Sequence, residues 1–283
     1  MKKNKIIKWK VKKSILKTGD YKLNNHIASK ISKKGFKKII KHYIDITPQN
    51  IKKILKKNKK FWASFKGEGV DLGGGVGCVS SVVAQSPENK KIYCLDAVEN
   101  AVKKCHPIVK NEILKKNAHK VISVIGDFDN INLPTSSVDF CFAWESLHHS
   151  NNVTKTLKEA KRITKNNGKI LIIDRAHKNS TSNKEIRRML NVVYSQDFLK
   201  RNWLPQNKIF TRKQNGEHEY RFKEWKKFFK NAKLNILESF ILKEKVKKNK
   251  NYKNDEGLKE YFVNFKFGGF EKKKVMYLLG VVK

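Results

Sequence analysis

Through the middle of the chain, short apolar runs are separated by longer stretches whose apolar residues recur at helical spacing. Val70–Leu72, Ile92–Leu95, Val121–Ile125, Val138–Ala143 and Lys169–Ile173 read as strands. Runs this short and this apolar fit strands buried on both faces. Helices are predicted from Cys78 to Ala84, from Ala97 to about Lys116 and from Val153 to about Lys165. In the last of these, Val153, Leu157, Ala160 and Ile163 share one face. His106-Pro107 starts, kinks or breaks the second, because proline lacks an N–H and crowds the turn before it. Asn167-Gly168 supplies a C-cap and turn. Strand–helix alternation of this kind predicts an α/β fold with a doubly wound, mostly parallel sheet. Ligands bind such sheets at the carboxyl ends of the strands. Asp71, Asp96, Asp127, Glu145 and Asp174 all fall there.

The flanks read differently. The first twenty residues look like a loosely ordered arm. Residues 24–66 look helical, with Ile27, Ile31, Phe36, Ile39, Ile40 and Tyr43 at helical spacing. Thr47-Pro48 is a helix-start signal ahead of Ile51, Ile54 and Leu55. Beyond Asp174, a helix is expected from Lys184 to about Leu199, then a polar loop from Pro205 to Glu219. Phe222, Trp225 and Phe229 form a helix face; Leu234–Leu242 and Val275–Val282 read as a C-terminal antiparallel strand pair. Between that pair lie a Lys/Asn-rich loop, Tyr261–Phe267 and a Gly268-Gly269 turn. The expected division is a Lys-rich N-terminal helical cap over 1–66 and a main domain over 67–283. Within the latter, 175–230 is inserted as a substrate cap.

Composition narrows the class. No apolar run is long enough to span a membrane, since Val275–Val282 is short and broken by Gly280. No signal-peptide core is present near the N-terminus, so a cytoplasmic location is expected. Cys78, Cys94, Cys105 and Cys141 show neither a C-x-x-C pair nor zinc spacing and read as small buried hydrophobes; no metal is expected. The formal net charge is +39, yet only seven of the 64 basic residues are arginine. A Lys/Asn/Ile bias is also what AT-rich coding would produce. Residues 1–66 hold 22 lysines and two acids, Asp20 and Asp45. Such charge draws a chain toward RNA, anionic membrane surfaces or acidic partners in a salt-dependent way.

The candidate chemistry begins at Asp71-Leu72-Gly73-Gly74-Gly75-Val76-Gly77, where an apolar strand ends in an acid and a glycine turn before a helix. Alternate glycines let the backbone approach a ligand closely. With an acid, Asp96, ending the next strand, the unit suits a nucleoside-containing cofactor. A dinucleotide is the rival reading. It fits less well, because Ser80 stands at the third small position and Gly126-Asp127-Phe128 has no dinucleotide role.

These residues resemble the class I S-adenosylmethionine-dependent methyltransferases, closely over about 66–175 and more loosely over 215–283. The resemblance implies a Rossmann-like fold and S-adenosyl-L-methionine as cofactor. It implies that Asp71, Gly73, Gly74, Gly75 and Gly77 hold the methionine part. Asp96, followed by Ala97, stands where the ribose hydroxyls bind, and Asp127 and Phe128 where the adenine binds. Trp144 and Glu145 end the fourth strand at the same site; Glu145 is a cofactor contact, a ligand for a substrate amine or a helix-start acid. Ser146-Leu147-His148-His149 and Glu217-His218-Glu219-Tyr220-Arg221 continue the similarity.

His148 and His149 follow the fourth strand at the mouth of this site, and histidine suits general-base work near neutral pH. By resemblance to some O-methyltransferases, His148 is the better match for a base; the alternative is a pair that merely packs the loop. Ala143-Trp144-Glu145-Ser146 departs from the Asn/Asp-Pro-Pro-Tyr/Phe of base-modifying amino-methyltransferases. Cys141 lies inside a strand, away from the proline context of a cytosine-C5 enzyme. The expected function is methyl transfer to an O or N atom of a small-molecule acceptor. The alternative is an RNA-acting methyltransferase, or a nucleic-acid-binding protein that keeps the cofactor fold.

Overall fold

The alternating segments assemble into one sheet in a computed structural model that describes residues 6–44, 46–241, 265–267 and 270–282. The strands are β1 (Ile7–Lys8), β2 (Gly67–Leu72), β3 (Asn89–Asp96), β4 (Val121–Ile125), β5 (Val138–Trp144), β6 (Thr164–Ala176), β7 (Asn235–Ile241), β8 (Phe265–Phe267) and β9 (Phe270–Gly280). Their order is β1-β4-β3-β2-β5-β6-β9-β7, with β8 paired to β9. Neighbours from β1 to β6 are parallel. β9 runs antiparallel to β6 and β7, as the C-terminal pattern suggested.

Side chains alternate across the sheet, and both faces are covered. Phe140 and Phe142 of β5, Leu171 and Ile173 of β6, and Met276 and Leu278 of β9 enter one core. Cys141 and Ala143, Ile170 and Ile172, and Tyr277 and Leu279 enter the other. This period of two follows from the pleat. The first core is covered by helices that follow the short α1 (Lys13–Leu16), namely α2 (Gly19–Ile31), α3 (Phe36–Tyr43), α4 (Pro48–Lys57) and α5 (Lys59–Ala63). With them pack α6 (Cys78–Val83) and α7 (His106–Leu114). Pro48 sits in the first turn of α4, where Thr47 accepts a hydrogen bond from the Asn50 N–H at 3.2 Å. A wide turn over Ala101–Cys105 precedes α7, and Pro107 falls in the first turn, where no N–H is needed. All four cysteines are free and buried.

The second core is covered by α8 (Val153–Ile163) on the side where its apolar stripe was expected. Two departures matter for the site. Residues 184–199 form two helices rather than one, α9 (Asn183–Leu190) and α10 (Gln196–Arg201). Between them Val193 bridges Thr211, and Ser195 opens α10 by accepting from the Phe198 N–H at 3.2 Å. α11 (Phe222–Asn231) follows and buries Trp225 and Phe229. The second departure is at the N-terminus. Ile7 and Lys8 pair with Val124 and Ile125, and Trp9 N–H donates to the Ile125 carbonyl at 2.7 Å. The expected loose arm is therefore an edge strand from Ile7. Two paired residues are too few to leave a periodic trace in the sequence. Residues 242–264 and the Gly268-Gly269 turn lie outside the described residues. Among the described residues no helix is long and apolar enough to cross a membrane.

Candidate active site

Strand order reverses between β2 and β5, so the connections leaving their carboxyl ends part in opposite directions. A cavity of about 450 Å³ opens at that edge. Of the residues singled out by sequence, Gly73, Gly75, Asp96, Ala97, Asp127, Phe128, Glu145 and His149 line it. Asp71, Gly74, Gly77, Trp144 and His148 do not.

The glycine turn explains part of this division. Gly75, at φ +56°, presents bare backbone, and nothing lies within 4 Å of where a Cβ would stand. Its N–H donates to Asp96 Oδ2 at 2.8 Å, and the Val98 N–H donates to Oδ1 at 2.7 Å. Burial pushes the Asp96 carboxyl up to about 6 against the pull of those two donors. Gly74 faces inward, where a Cβ would overlap the Cys94 sulfur. Asp71 lies beneath the turn, 1% exposed, and accepts from Ser80 Oγ at 2.7 Å. Burial pushes its carboxyl up to about 7. It braces the turn against α6 rather than reaching the cavity. Gly77 opens α6, and His106 packs beside it. Burial holds His106 down at about 4, so its neutral ring donates from Nε2 to the Gly75 carbonyl at 3.0 Å. The sequence marked His106 only as a helix interruption.

Two carboxylate oxygens in the cavity wall lack hydrogen-bond partners among the described residues. Asp127 is 1% exposed; its Oδ1 accepts from the Asp129 N–H at 2.8 Å, and its Oδ2 receives no hydrogen bond. Lys12 Nζ stands 3.4 Å from that oxygen. Glu145, at φ +52°, pairs Oε2 with Lys274 Nζ at 2.8 Å and leaves Oε1 without a donor. Buried polar atoms without partners are rare, and both of these belong to residues that line a ligand-sized space. Trp144 turns to the opposite face, beside Phe61 and Phe65, because Ala143 already occupies the other side of the pleat.

Leu147–His149 is one 3-10 turn, so consecutive side chains diverge by about 120°. His148 points inward, 3% exposed, with Nδ1 2.7 Å from Asp174 Oδ1. Burial and then Arg175 hold its pKa below the usual imidazole value. His149 points into the cavity instead. Its Nδ1 is 3.6 Å from Asp20 Oδ1, and its ring lies 4.2 Å from the His148 ring. Burial opposes its charging, but Asp20 and Glu217 outweigh burial and raise its pKa.

Beneath the pair runs a buried ionic network. Glu217 Oε2 receives Arg175 at 2.9 Å and Arg212 at 3.1 Å, which hold its carboxyl well below the ordinary range despite burial. Arg212 also pairs with Glu219, which meets His177 Nε2 at 2.6 Å. This network fastens residues 211–221 to the end of β6 and brings Gly216 to the cavity. His148, His149 and Glu217 place ligand-type atoms within 4.8 Å of one another. Two guanidinium groups already neutralise Glu217, so a divalent cation there would meet repulsion.

The sequence reading missed the N-terminal contributions: Lys12, Asp20, Tyr21, Asn24 and Tyr43 all line the cavity. One trace was available. Asp20 is one of two acids in the first 66 residues, and an acid so rare among 22 lysines invites a reason.

Residues 70–172 match the methyltransferase domain family. That segment carries the glycine turn, Asp96, Asp127 and Glu145, and its match supports the class I S-adenosylmethionine-dependent methyltransferase family. The match implies S-adenosylmethionine as cofactor. The sequence is 29% identical over 99 residues to an uncharacterised chloroplastic methyltransferase of Arabidopsis thaliana. That match spans 35% of this chain and 28% of the relative. In fold the chain is similar to a methyltransferase candidate of Bacillus halodurans C-125, with TM-score 0.54 and 16% identity over 81% of this chain and 99% of that one. It is also similar to a SAM-dependent methyltransferase of Leishmania major, with TM-score 0.54 and 9% identity over 92% of this chain and 82% of that one.

Proposed function

We propose that this methyltransferase acts on an oxygen or nitrogen atom of a small-molecule acceptor, with His149 as the base. One observation carries the reading: a single cavity is walled both by the strand-end carboxylates Asp96 and Asp127 and by the His149 ring. The residues present fit S-adenosylmethionine. Asp127 Oδ2 lacks a hydrogen-bond donor among the described residues and suits the adenine amine, with Phe128 on the same cavity wall. Asp96 has lone pairs left for a ribose diol after its two backbone donors. The bare backbone at Gly75, open where a Cβ would stand, suits the amino-acid end. When bound, the cofactor supplies an electrophilic methyl group on a sulfonium.

The protein then has to position the acceptor and take up its proton. Asp20, Tyr21, Asn24 and Tyr43 on one side and Gly216 on the other enclose the space next to His149. Residues 1–66 and 175–230 thus act as the acceptor cap. Asp174 fixes His148, and His148 backs the ring of His149. Asp20 stabilises the imidazolium that forms when His149 accepts a proton.

A panel of alcohols, phenols and amines with labelled cofactor tests the proposal. Turnover on one class is expected, rising with pH as His149 loses its proton above the ordinary imidazole value. His149→Gln should lower kcat by about 10²–10⁴ while calorimetry shows unchanged cofactor affinity. A folded chain without affinity for the cofactor or its demethylated product would overturn the reading, as would undiminished kcat in His149→Gln.

A further inference from the structure

Charge and exposed apolar surface meet where α2 and α3 pack against the segment around α10. Within α2 and α3 the one acid is Asp20, and it lines the cavity. The outward positions of these helices and the turn between them carry exposed Lys22, Lys30, Lys33, Lys34, Lys37 and Lys38. Against them packs the segment around α10. His26 Nε2 meets the Trp203 carbonyl at 3.1 Å, His42 Nε2 meets Asn202 Oδ1 at 3.0 Å, and the His42 and Trp203 rings stack at 5.5 Å. That segment leaves Trp203 39%, Val193 48% and Ile209 78% exposed. Tyr194 N–H donates to the Phe210 carbonyl at 3.1 Å, and both of those rings are buried. Strand-like alternation therefore turns Val193 and Ile209 outward together. Exposed Lys200, Arg201, Lys208 and Lys213 flank them, with Asp197 as the single acid between 193 and 213.

We propose that this face docks on an anionic lipid bilayer. Val193, Trp203 and Ile209 enter the boundary between headgroups and acyl chains, and the lysines of α2 and α3 meet headgroup charge. Exposed aliphatic side chains gain from an acyl region and gain nothing from a phosphate backbone. A single-stranded nucleic acid would instead call for several free aromatic platforms, whereas Trp203 already has one face stacked on His42. α2 also walls the cavity through Asp20, Tyr21 and Asn24, so docking fixes the direction in which its mouth faces.

Flotation of the full chain with vesicles tests this. Two vesicle types are needed, phosphatidylcholine alone and phosphatidylcholine with one-third phosphatidylglycerol. Binding is expected to the second and not to the first. Val193→Ser with Ile209→Ser should lower partition at least about tenfold. Lys33→Gln, Lys37→Gln and Lys38→Gln should each lower it about fivefold. Removal of an equal charge at exposed Lys53, Lys56 and Lys59, on α4 and α5, should cost much less. Calorimetry with the cofactor confirms that each variant is folded. Three outcomes would overturn the proposal: absence of binding to anionic vesicles, equal losses from the two lysine sets with no effect of the apolar pair, or loss of RNA affinity in the cap variants while vesicle binding persists.

Discussion

Asp71→Asn isolates what a buried acid under the glycine turn does. Among the described residues the carboxyl has no ionic partner; its bond comes from the neutral Ser80 hydroxyl at 2.7 Å. Burial lifts its pKa from an ordinary 3.8 to about 7. The sign follows from proton counts. Between those values the unfolded chain has lost the proton and the folded chain keeps it, so stability is full below about pH 4 and falls as pH rises toward 7. At 1.36 kcal/mol per pH unit, the loss attributable to this group is about 4 kcal/mol by pH 8. Asparagine keeps the shape and a hydrogen-bonding group for Ser80 but has no proton to lose. Urea unfolding of both proteins at several pH values should show equal stability at pH 4. The variant should then gain steadily, reaching about 4 kcal/mol at pH 8. Cofactor affinity should be nearly unchanged, because Asp71 does not line the cavity. A stability difference that is the same at every pH would refute the reasoning, since it would mean the carboxyl is ionised in the folded state throughout.

Two further substitutions probe the cavity wall. Asp96→Ala removes the acceptor of the Gly75 and Val98 N–H groups together with the expected diol contact, and should weaken cofactor binding in calorimetry by about 2–3 kcal/mol. Lys274→Met strands Glu145 without its 2.8 Å partner and should destabilise the fold in urea by about 3–5 kcal/mol at neutral pH. Pairing it with Glu145→Gln should recover much of that loss.

Much of the sheet was legible because its evidence is local. The apolar runs that became β3, β4 and β5 needed only their own residues and flanking turns. Asp96, Asp127 and Glu145 were placed by the same logic, since a polar residue ending a buried strand seeks solvent, a ligand or a buried partner, as Asp71 finds in Ser80. Even so, adjacency misled where side-chain direction decides. Trp144 and Glu145 are neighbours, yet the pleat sends one into the core and the other toward the cavity. His148 and His149 are neighbours, yet a 3-10 turn buries the first against Asp174 and presents the second. The resemblance favoured His148 as the base; the geometry puts His149 on the wall.

Sequence alone determined the glycine turn, the strand-end acids and the parallel sheet beneath them, because propensity, period and turn chemistry act over a few residues. Tertiary structure decided which side chains share the cavity. Asp20 and His149 are brought to 3.6 Å across 129 positions, and Glu217 reaches the histidine pair through a network assembled from β6 and the 211–221 segment. Such contacts form only when the α2 layer and the sheet bury their common apolar surface. No window of the chain short enough to show a period contains both partners.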